Sequence, residues 1–430
     1  MKLALLGAGN AGTRIVDRLV TAEADTGVDF TAGNVLAFDT TTAAFAEATA
    51  LPDERQILLG DTHPAVTQPA ADDDAERDDA EPAADGDADG AAGGAVTDAG
   101  VGGDPDAGAA VATDELPEIR RALDLVDETE VDAAMLVAGL GGGTGSGVGS
   151  VLLEEMQAVY ECPVYVLGAL PAETEPDRRA LTAARAVRTM VPLADTVFPV
   201  DNEAWRAGAD DVSDRYREIN DEIATRIVSL FAIGESGPAT ASEIRIDPAD
   251  VQRTLDVGGL ATIGQATIEI DVDTTGWLTR LLRQLGLAAG TPSDGPTDAA
   301  TIKRLVRQAL ESRLTLPCEI ASADRVLLLL SGPPEKISRK GFETGRYLLE
   351  QETDTVEVLA GDEPRPDAST ITATVLLANV TDVPRIDDLQ QRALAARTDG
   401  SGGESADGYG FDFEEEPVDE AAGEAEFETN

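Results

Sequence analysis

Residues 139 to 147 read Gly139-Leu140-Gly141-Gly142-Gly143-Thr144-Gly145-Ser146-Gly147. They follow the apolar run 133–138 and precede the apolar-periodic segment 148–159, which is the order of a strand, a loop and a helix start. Six glycines in nine positions remove Cβ atoms. Successive backbone N–H groups can then curl around an anion beside the partial positive charge of a helix N-terminus. The natural ligand is a phosphate chain. No lysine stands in or near the loop, so this is not the Gly-x-x-x-x-Gly-Lys-Ser/Thr phosphate loop, and backbone dipoles with a metal ion are left to neutralise the anion. A flexible turn or tight helix packing would also use glycines. The position at the carboxyl end of a buried strand, where open α/β sheets bind ligands, favours the phosphate.

The first strand turns on Gly7-Ala8-Gly9-Asn10-Ala11-Gly12, a formal Gly-x-Gly-x-x-Gly. With Asp39 at the end of the next strand as a ribose ligand, it would suit a nicotinamide dinucleotide and an oxidoreductase. That cofactor needs one pyrophosphate loop, whereas a nucleoside triphosphate with its metal can use two. Downstream, Tyr216 and Asn220 stand four apart in a long helical pattern and so share one helix face. By themselves Tyr216 also reads as a core aromatic and Glu175 as a solvated charge. Asp247-Pro248-Ala249-Asp250 is a helix start, with an N-cap acid, proline at the first position and a second acid in the first turn.

The elements that must hold these residues alternate. Strands are expected at 2–6, 35–39 and 56–59, with a helix at 12–24. After a gap come helix 116–127, strands 131–138 and 164–170, helix 177–191, strand 196–200 and a long helix 212–233. This predicts an α/β fold with a doubly wound, mostly parallel sheet. A second region mixes helices (247–257, about 275–287, 298–314, 335–350) with strands (260–270, 325–330, 356–360, 371–378), which predicts an α+β domain packed on the long helix. The expected units are 1–234, 235–395 and a tail, 396–430. Segment 66–113 is Asp, Ala, Gly and Pro with almost no large apolar side chains, so it is expected to be a disordered acidic insertion. The acidic Gly/Glu-rich tail, with no base after Arg397, is expected to be disordered too.

The 430 residues hold 82 acids against 32 bases, a formal charge of −50, yet 42% are hydrophobic. Acids stud the helices as well as the tail, so the chain reads as a folded protein with an acidic skin. Such a skin suits a salt-saturated cytoplasm, where repulsion is screened over about 3 Å, and points to a halophilic source. The same field argues against nucleic acid and anionic membranes as partners. Cys162 and Cys318 have no metal-ligand spacing and read as reduced core thiols. His63 has no second His or Cys neighbour for a metal or triad role. The first apolar strand is too short for a signal peptide, and no run approaches the roughly 18 residues of a membrane span. The expected location is cytoplasmic.

With both glycine loops in view, the chain resembles the tubulin/FtsZ superfamily, whose signature Gly-Gly-Gly-Thr-Gly-Ser/Thr-Gly stands here at Gly141 to Gly147. More narrowly it is similar to the CetZ group of tubulin-like proteins of haloarchaea. The resemblance runs from residue 1 to about Arg392, apart from the insertion. It includes Val200-Asp201-Asn202-Glu203-Ala204-Trp205-Arg206, Ile219-Asn220-Asp221-Glu222-Ile223, Ser331-Gly332-Pro333-Pro334, Arg339-Lys340-Gly341 and Val383-Pro384-Arg385-Ile386.

The resemblance implies a GTP/GDP site with Mg²⁺. Gly9, Asn10 and Ala11 would form its first loop, and Gly141, Gly142, Gly143, Thr144, Gly145, Ser146 and Gly147 would hold the α and β phosphates. Glu175 would bind ribose, Arg179 falls where some relatives place an Arg, Asn202 would meet guanine, and Tyr216 and Asn220 would complete the base pocket. It further implies GTP hydrolysis completed by Asp247 and Asp250 of an adjacent subunit. Related subunits would join head to tail into cytoskeletal filaments that control cell shape. Two departures qualify this. Arg245 replaces an Asn of FtsZ relatives, and Gly60-Asp61-Thr62-His63-Pro64 begins where relatives carry a glycine-rich loop to the γ-phosphate. A divergent GTP-binding regulator that does not polymerise is the competing expectation.

Overall fold

The computed structural model describes residues 1–67, 100–206, 212–233, 246–270, 297–353, 355 and 357–400. Six segments build one sheet: β1 (Leu3–Ala8), β2 (Val35–Asp39), β3 (Gln56–Leu58), β4 (Ala133–Gly139), β5 (Val164–Leu170) and β6 (Thr196–Asp201). Their order is β3-β2-β1-β4-β5-β6 and every pairing is parallel. A parallel sheet covered on both faces needs unbroken apolar strands. Leu3, Leu5 and Met135 accordingly enter one core, while Ala4, Leu6 and Leu136 enter the other. A second sheet, ordered β7-β10-β8-β9, is made of β7 (Ala261–Glu269), β8 (Ala323–Gly332), β9 (Val358–Pro364) and β10 (Thr370–Val380). β10 runs antiparallel to β7 and β8, and β8 runs parallel to β9.

The described helices are α1 (Gly9–Thr26), α2 (Ala43–Glu47), α3 (Pro64–Thr67), α4 (Pro105–Asp114), α5 (Leu116–Leu123), α6 (Gly149–Val159) and α7 (Asp177–Met190). They continue with α8 (Asn202–Trp205), α9 (Tyr216–Phe231), α10 (Pro248–Leu255), α11 (Ala299–Glu311), α12 (Arg339–Glu352) and α13 (Pro384–Gly400). α1 and α9 cover one face of the first sheet, and α5, α6 and α7 cover the other. α9 is the long helix, and it joins the two sheets. Its Ile223, Ile227 and Phe231 share a core with Leu327, Leu329 and Leu376 of the second sheet. Ser229 Oγ accepts from Gln265 Nε2 on β7 at 3.0 Å. The doubly wound sheet and the second α+β layer agree with expectation. The expected helix near 275–287 lies outside the described residues, as do residues 68–99 of the insertion, Arg245 and residues 401–430 of the tail.

The disorder expected for 66–113 is corrected over its second part. Residues 100–104 form a turn, and α4 follows, with Asp104 as N-cap accepting from Asp106 N and Ala107 N, and Pro105 in the first turn. A scan for large apolar side chains misses this helix because it is buried through small ones. Gly108, Val111 and Ala112 are buried, and a Cβ on Gly108 would lie 2.6 Å from the Gly143 carbonyl oxygen. Gly60 sits at φ 74 under Val66 and Val111, so the two stems flanking 68–99 are packed against each other.

The contact between α9 and the first sheet centres on three rings. Tyr165 and Phe198 meet edge to face at 6.2 Å, and Phe231 closes on both at 6.0 and 5.8 Å. Phe231 is fully buried. Phe231→Ala is expected to lower the unfolding free energy by about 3–5 kcal/mol. Urea denaturation of the full chain in molar KCl checks this through the shift in midpoint.

Candidate functional site

In a sheet ordered 3-2-1-4-5-6, the chain leaves β1 and β4 toward opposite faces, and a crevice opens between them at their carboxyl ends. A cavity of about 450 Å³ lies there, within the range of small-molecule sites. Two helix starts converge on it. α1 begins at Gly9 directly after β1, and after β4 a π-helical turn, Thr144–Val148, leads into α6. The leading N–H groups of a helix have no carbonyl partner within it, so both starts present donors and positive partial charge to one space. Gly9 takes φ 70, and a Cβ there would press on Gly145 N at 3.0 Å, so only a glycine lets the two loops approach this closely.

Gly9, Asn10, Ala11, Gly141, Gly142, Gly143, Thr144 and Gly145 all line the cavity. Ser146 and Gly147 stand behind this wall. Ser146 is buried and donates through Oγ to Leu140 O at 2.6 Å, closing the loop from behind. Gly147 faces α4, and a Cβ on it would fall on the Pro105 carbonyl oxygen. Its glycine serves helix packing.

Glu175, Arg179, Asn202, Tyr216 and Asn220 line the rest of the cavity. Glu175 lies in the loop after β5, where its Oε1 accepts from Ala172 N at 2.7 Å and its Oε2 pairs with Arg179 one helical turn on. Asn202 opens α8, which is capped by Asp201 through Glu203 N at 3.2 Å. Burial raises the Asp201 carboxyl above its ordinary value, while Arg385 at 2.9 Å and nearby backbone N–H groups pull it back. Tyr216 and Asn220 start α9 on one face, with Ile223 a turn below on the same wall.

Three contributors escaped the sequence reading. Gly100, Val101 and Gly103 line the cavity, so a glycine-rich loop stands there on the far side of residues 68–99. The glycine-rich segment looked for directly after Gly60 is not there, and a glycine-containing turn at 100–103 lines the cavity instead. The signal was present as Gly100-Val101-Gly102-Gly103-Asp104-Pro105, a glycine loop running into an N-cap and a first-turn proline. The second contributor is Thr40, whose Oγ1 lies 2.8 Å from Thr144 Oγ1 and ties the end of β2 to the glycine loop.

The third is Asp39, weighed only as a dinucleotide ribose ligand. It is 2% exposed and lines the cavity. Its Oδ1 accepts from Thr40 N at 2.7 Å and Thr41 N at 3.2 Å, while its Oδ2 has no hydrogen-bond partner among the described residues. Burial pushes its pKa up to about 6 against those backbone donors. A buried carboxylate with one unmatched oxygen, facing a cavity of backbone donors, is a hard oxygen ligand that would hold a divalent cation.

Asp247 and Asp250 are elsewhere. They form a reciprocal capping box at the start of α10, each carboxylate accepting the other's N–H at 3.1 Å. α10 is anchored by Gln252 Nε2 to Asp132 O at 2.8 Å, and Asp132 in turn accepts from Lys2 N. Asp132 immediately precedes β4 and Lys2 precedes β1, so these acids sit at the amino end of the sheet. The seven residues of β4, at about 3.3 Å each, separate that end from the cavity by roughly 20 Å. A larger groove of about 620 Å³ between α7 and α13 is lined by aliphatic side chains such as Leu181, Val187, Ile386 and Leu394. Arg185, Arg188 and Gln390 also line it.

Comparison with known proteins agrees with this geometry. Residues 92–210 match the Tubulin/FtsZ family, GTPase domain, and residues 209–395 match the Tubulin-like CetZ, C-terminal domain. The tubulin-like protein CetZ3 of Haloferax volcanii is 37% identical over 400 residues, covering 93% of each chain. Among solved structures, the GDP-bound CetZ1 monomer of Haloferax volcanii superposes with a TM-score of 0.72 at 34% identity, over 92% of this chain and 100% of that one. The GTPγS-bound CetZ2 protofilament of the same organism gives 0.73 at 29%, over 93% and 99%. Identity of 37% to a tubulin-like CetZ over 93% of the chain, together with the CetZ C-terminal match, shows that the protein belongs to the tubulin-like CetZ family.

Proposed function

We propose that the chain is a GTP-binding subunit that assembles head to tail into filaments and hydrolyses GTP at the junction between subunits. The observation that carries this reading is the separation of Asp247 and Asp250 from the cavity by the length of the sheet. One subunit holds the nucleotide at the carboxyl end, and its neighbour would bring two acids at the amino end. Such a contact is heterologous and does not close on itself. Two solved relatives, the GDP-bound CetZ1 monomer and the GTPγS-bound CetZ2 protofilament, support the same ligand and assembly here.

In this reading the N–H groups of the two helix starts hold the phosphates, and Gly100 to Gly103 approach the terminal one. Glu175 accepts from ribose hydroxyls, Tyr216 stacks on guanine, and Asn202 and Asn220 read its edge. Asp39 would hold Mg²⁺, which supplies positive charge against the phosphates. The incoming Asp247 or Asp250 orients water for attack on the γ-phosphate. A non-assembling regulator is the competing reading, and Gly100, Val101 and Gly103 lining the cavity support the assembling one. Among the described residues no helix is long and apolar enough to cross a membrane. Control of cell shape is the process we propose for the filaments, and deletion of the gene should alter cell outline.

GTP turnover per molecule is expected to rise with protein concentration in molar KCl, and a flat rate would sink assembly-dependent hydrolysis. Asn caps a helix as well as Asp does, so Asp247→Asn tests the charge without removing the cap. It should leave GTP affinity and helix content unchanged and cut turnover by about 10²-fold or more. Asp39 makes the nucleotide-free protein pH-dependent. Its folded pKa near 6 exceeds the ordinary 3.8, so its stabilising share is full below about pH 4 and is lost as pH rises through 6. Asp39→Asn should therefore raise the unfolding free energy at pH 7 by about 2–3 kcal/mol, read by urea denaturation, with the gain vanishing near pH 4. Mg²⁺ with GDP should stabilise the parent protein more than this variant.

A further inference from the structure

α13 comes last among the described elements, yet it reaches the two loops that carry the ribose and base residues. Arg385 and Arg392 are seven apart, two helical turns, and so lie on one face. Arg385 is almost fully buried and directs its guanidinium three ways. Nη2 donates to Pro171 O at 2.7 Å, Nε to Asp201 Oδ1 at 2.9 Å, and Nη1 to Asp388 Oδ2 at 2.9 Å. Pro171 opens the loop that ends in Glu175, and Asp201 caps the helix that begins with Asn202. Arg392 holds the other end of the same loop, with Nη2 donating to Asp177 Oδ1 at 2.7 Å and to Glu175 O at 3.3 Å. α13 also packs along α7, whose first residue is Asp177.

We propose that Arg385 and Arg392 are positioning residues of the nucleotide site: from the C-terminal helix they clamp the Glu175 loop at both ends and the turn before Asn202. This rests on the reading of the cavity as a guanine-nucleotide site. Within the loop, Glu175 N donates to Ala172 O at 3.1 Å and Glu175 pairs with Arg179, but its two ends are tied to other elements by the arginines. Ala172 N bonds to Glu175 itself, and Glu173 N bonds to Glu203 Oε2 at 3.0 Å on α8, which Arg385 also steadies through Asp201. The Asp201 Oδ1 that accepts from Arg385 is the same atom that accepts from Glu203 N, so the start of α8 and the clamp share one oxygen. A planar guanidinium can serve a carboxylate and a carbonyl in fixed directions, whereas an ammonium acts as a point charge and cannot. Coupling of this kind is reciprocal: if α13 orders the loop for the nucleotide, the nucleotide must tighten α13 by the same factor.

The test measures GDP and 2′,3′-dideoxy-GDP binding to the full chain in molar KCl. Dideoxy-GDP lacks the hydroxyls that Glu175 would accept from. Arg392→Gln, at the partly exposed end of the clamp, should raise the GDP dissociation constant about tenfold and change that of dideoxy-GDP less than twofold. Arg385→Lys should act in the same direction, and if it fails to fold, Arg392→Gln still decides the matter. Hydrogen exchange in residues 384–396 of the parent protein should slow when GDP is added, and slow less in Arg392→Gln. Equal losses for both nucleotides would reduce the arginines to general support of the fold, and unchanged affinities would remove the clamp altogether. Either result overturns the proposal while leaving the GTP reading intact. A parent protein that binds neither nucleotide would sink the GTP reading itself, and the clamp with it.

Discussion

The side-by-side, parallel pairing of β1 with β4 is the contact on which the rest of the molecule depends. Their register sets Gly7 beside Val137 and Ala8 beside Ala138, so both strands end together and both following helices start at one edge. The approach is close enough that a Cβ on Gly12 would fall on the Val137 carbonyl oxygen. Once two helix starts share an edge, their unpaired N–H groups create an anion site without any lysine. A sheet rich in parallel pairing also separates its two ends chemically. The carboxyl end collects loops and helix starts, while the amino end is left for residues such as Asp247 and Asp250.

What the amino-acid sequence disclosed divides by the range of the contacts involved. The place of Gly141 to Gly145 at the cavity was legible from local geometry, a strand that turns into a helix, whereas Asn10, Tyr216 and Asn220 were singled out by the family resemblance. The Asp247 capping box was legible from local geometry too. Gly100 to Gly103 were hidden because low-complexity sequence surrounds them, and α4 is buried through Gly108, Val111 and Ala112, with one branched side chain too few to show a helical period. Ser146 and Gly147 belong to the motif as text, but a helical turn has a back as well as a front, and spacing does not say which residues face the ligand. Asp39 needed its burial and its unmatched oxygen, both tertiary facts. Arg385 acts across 214 positions of chain, and no periodicity reports such a distance.

Charge is distributed unevenly in this protein. With so few bases, many of its arginines lie in exposed pairs such as Arg14 with Glu47 and Arg307 with Glu352, which contribute little in concentrated salt. Arg385 with Asp201 is different, since both side chains are shielded from solvent and screening does not reach them. Arg226 is likewise buried, lying over the Trp205 ring at 4.5 Å, where α9 meets α8. Its Nη1 reaches Glu222 on the same helix. The cations that matter for shape therefore sit where the elements carrying Asn202, Glu175 and Asn220 converge, and an acidic skin can vary around them.

Gly60, closed over by Val66 and Val111, gives the region next to the phosphate loops a further property. The stems that lead toward residues 68 and 99 are locked by their own packing, independent of what runs between them. Closing a longer loop on fixed stems costs only about 0.6 kcal/mol per doubling of its length. The two stems are tied to each other through Gly60, Val66 and Val111, and the turn at 100–103 is held beside the phosphate loops by contacts within the described residues.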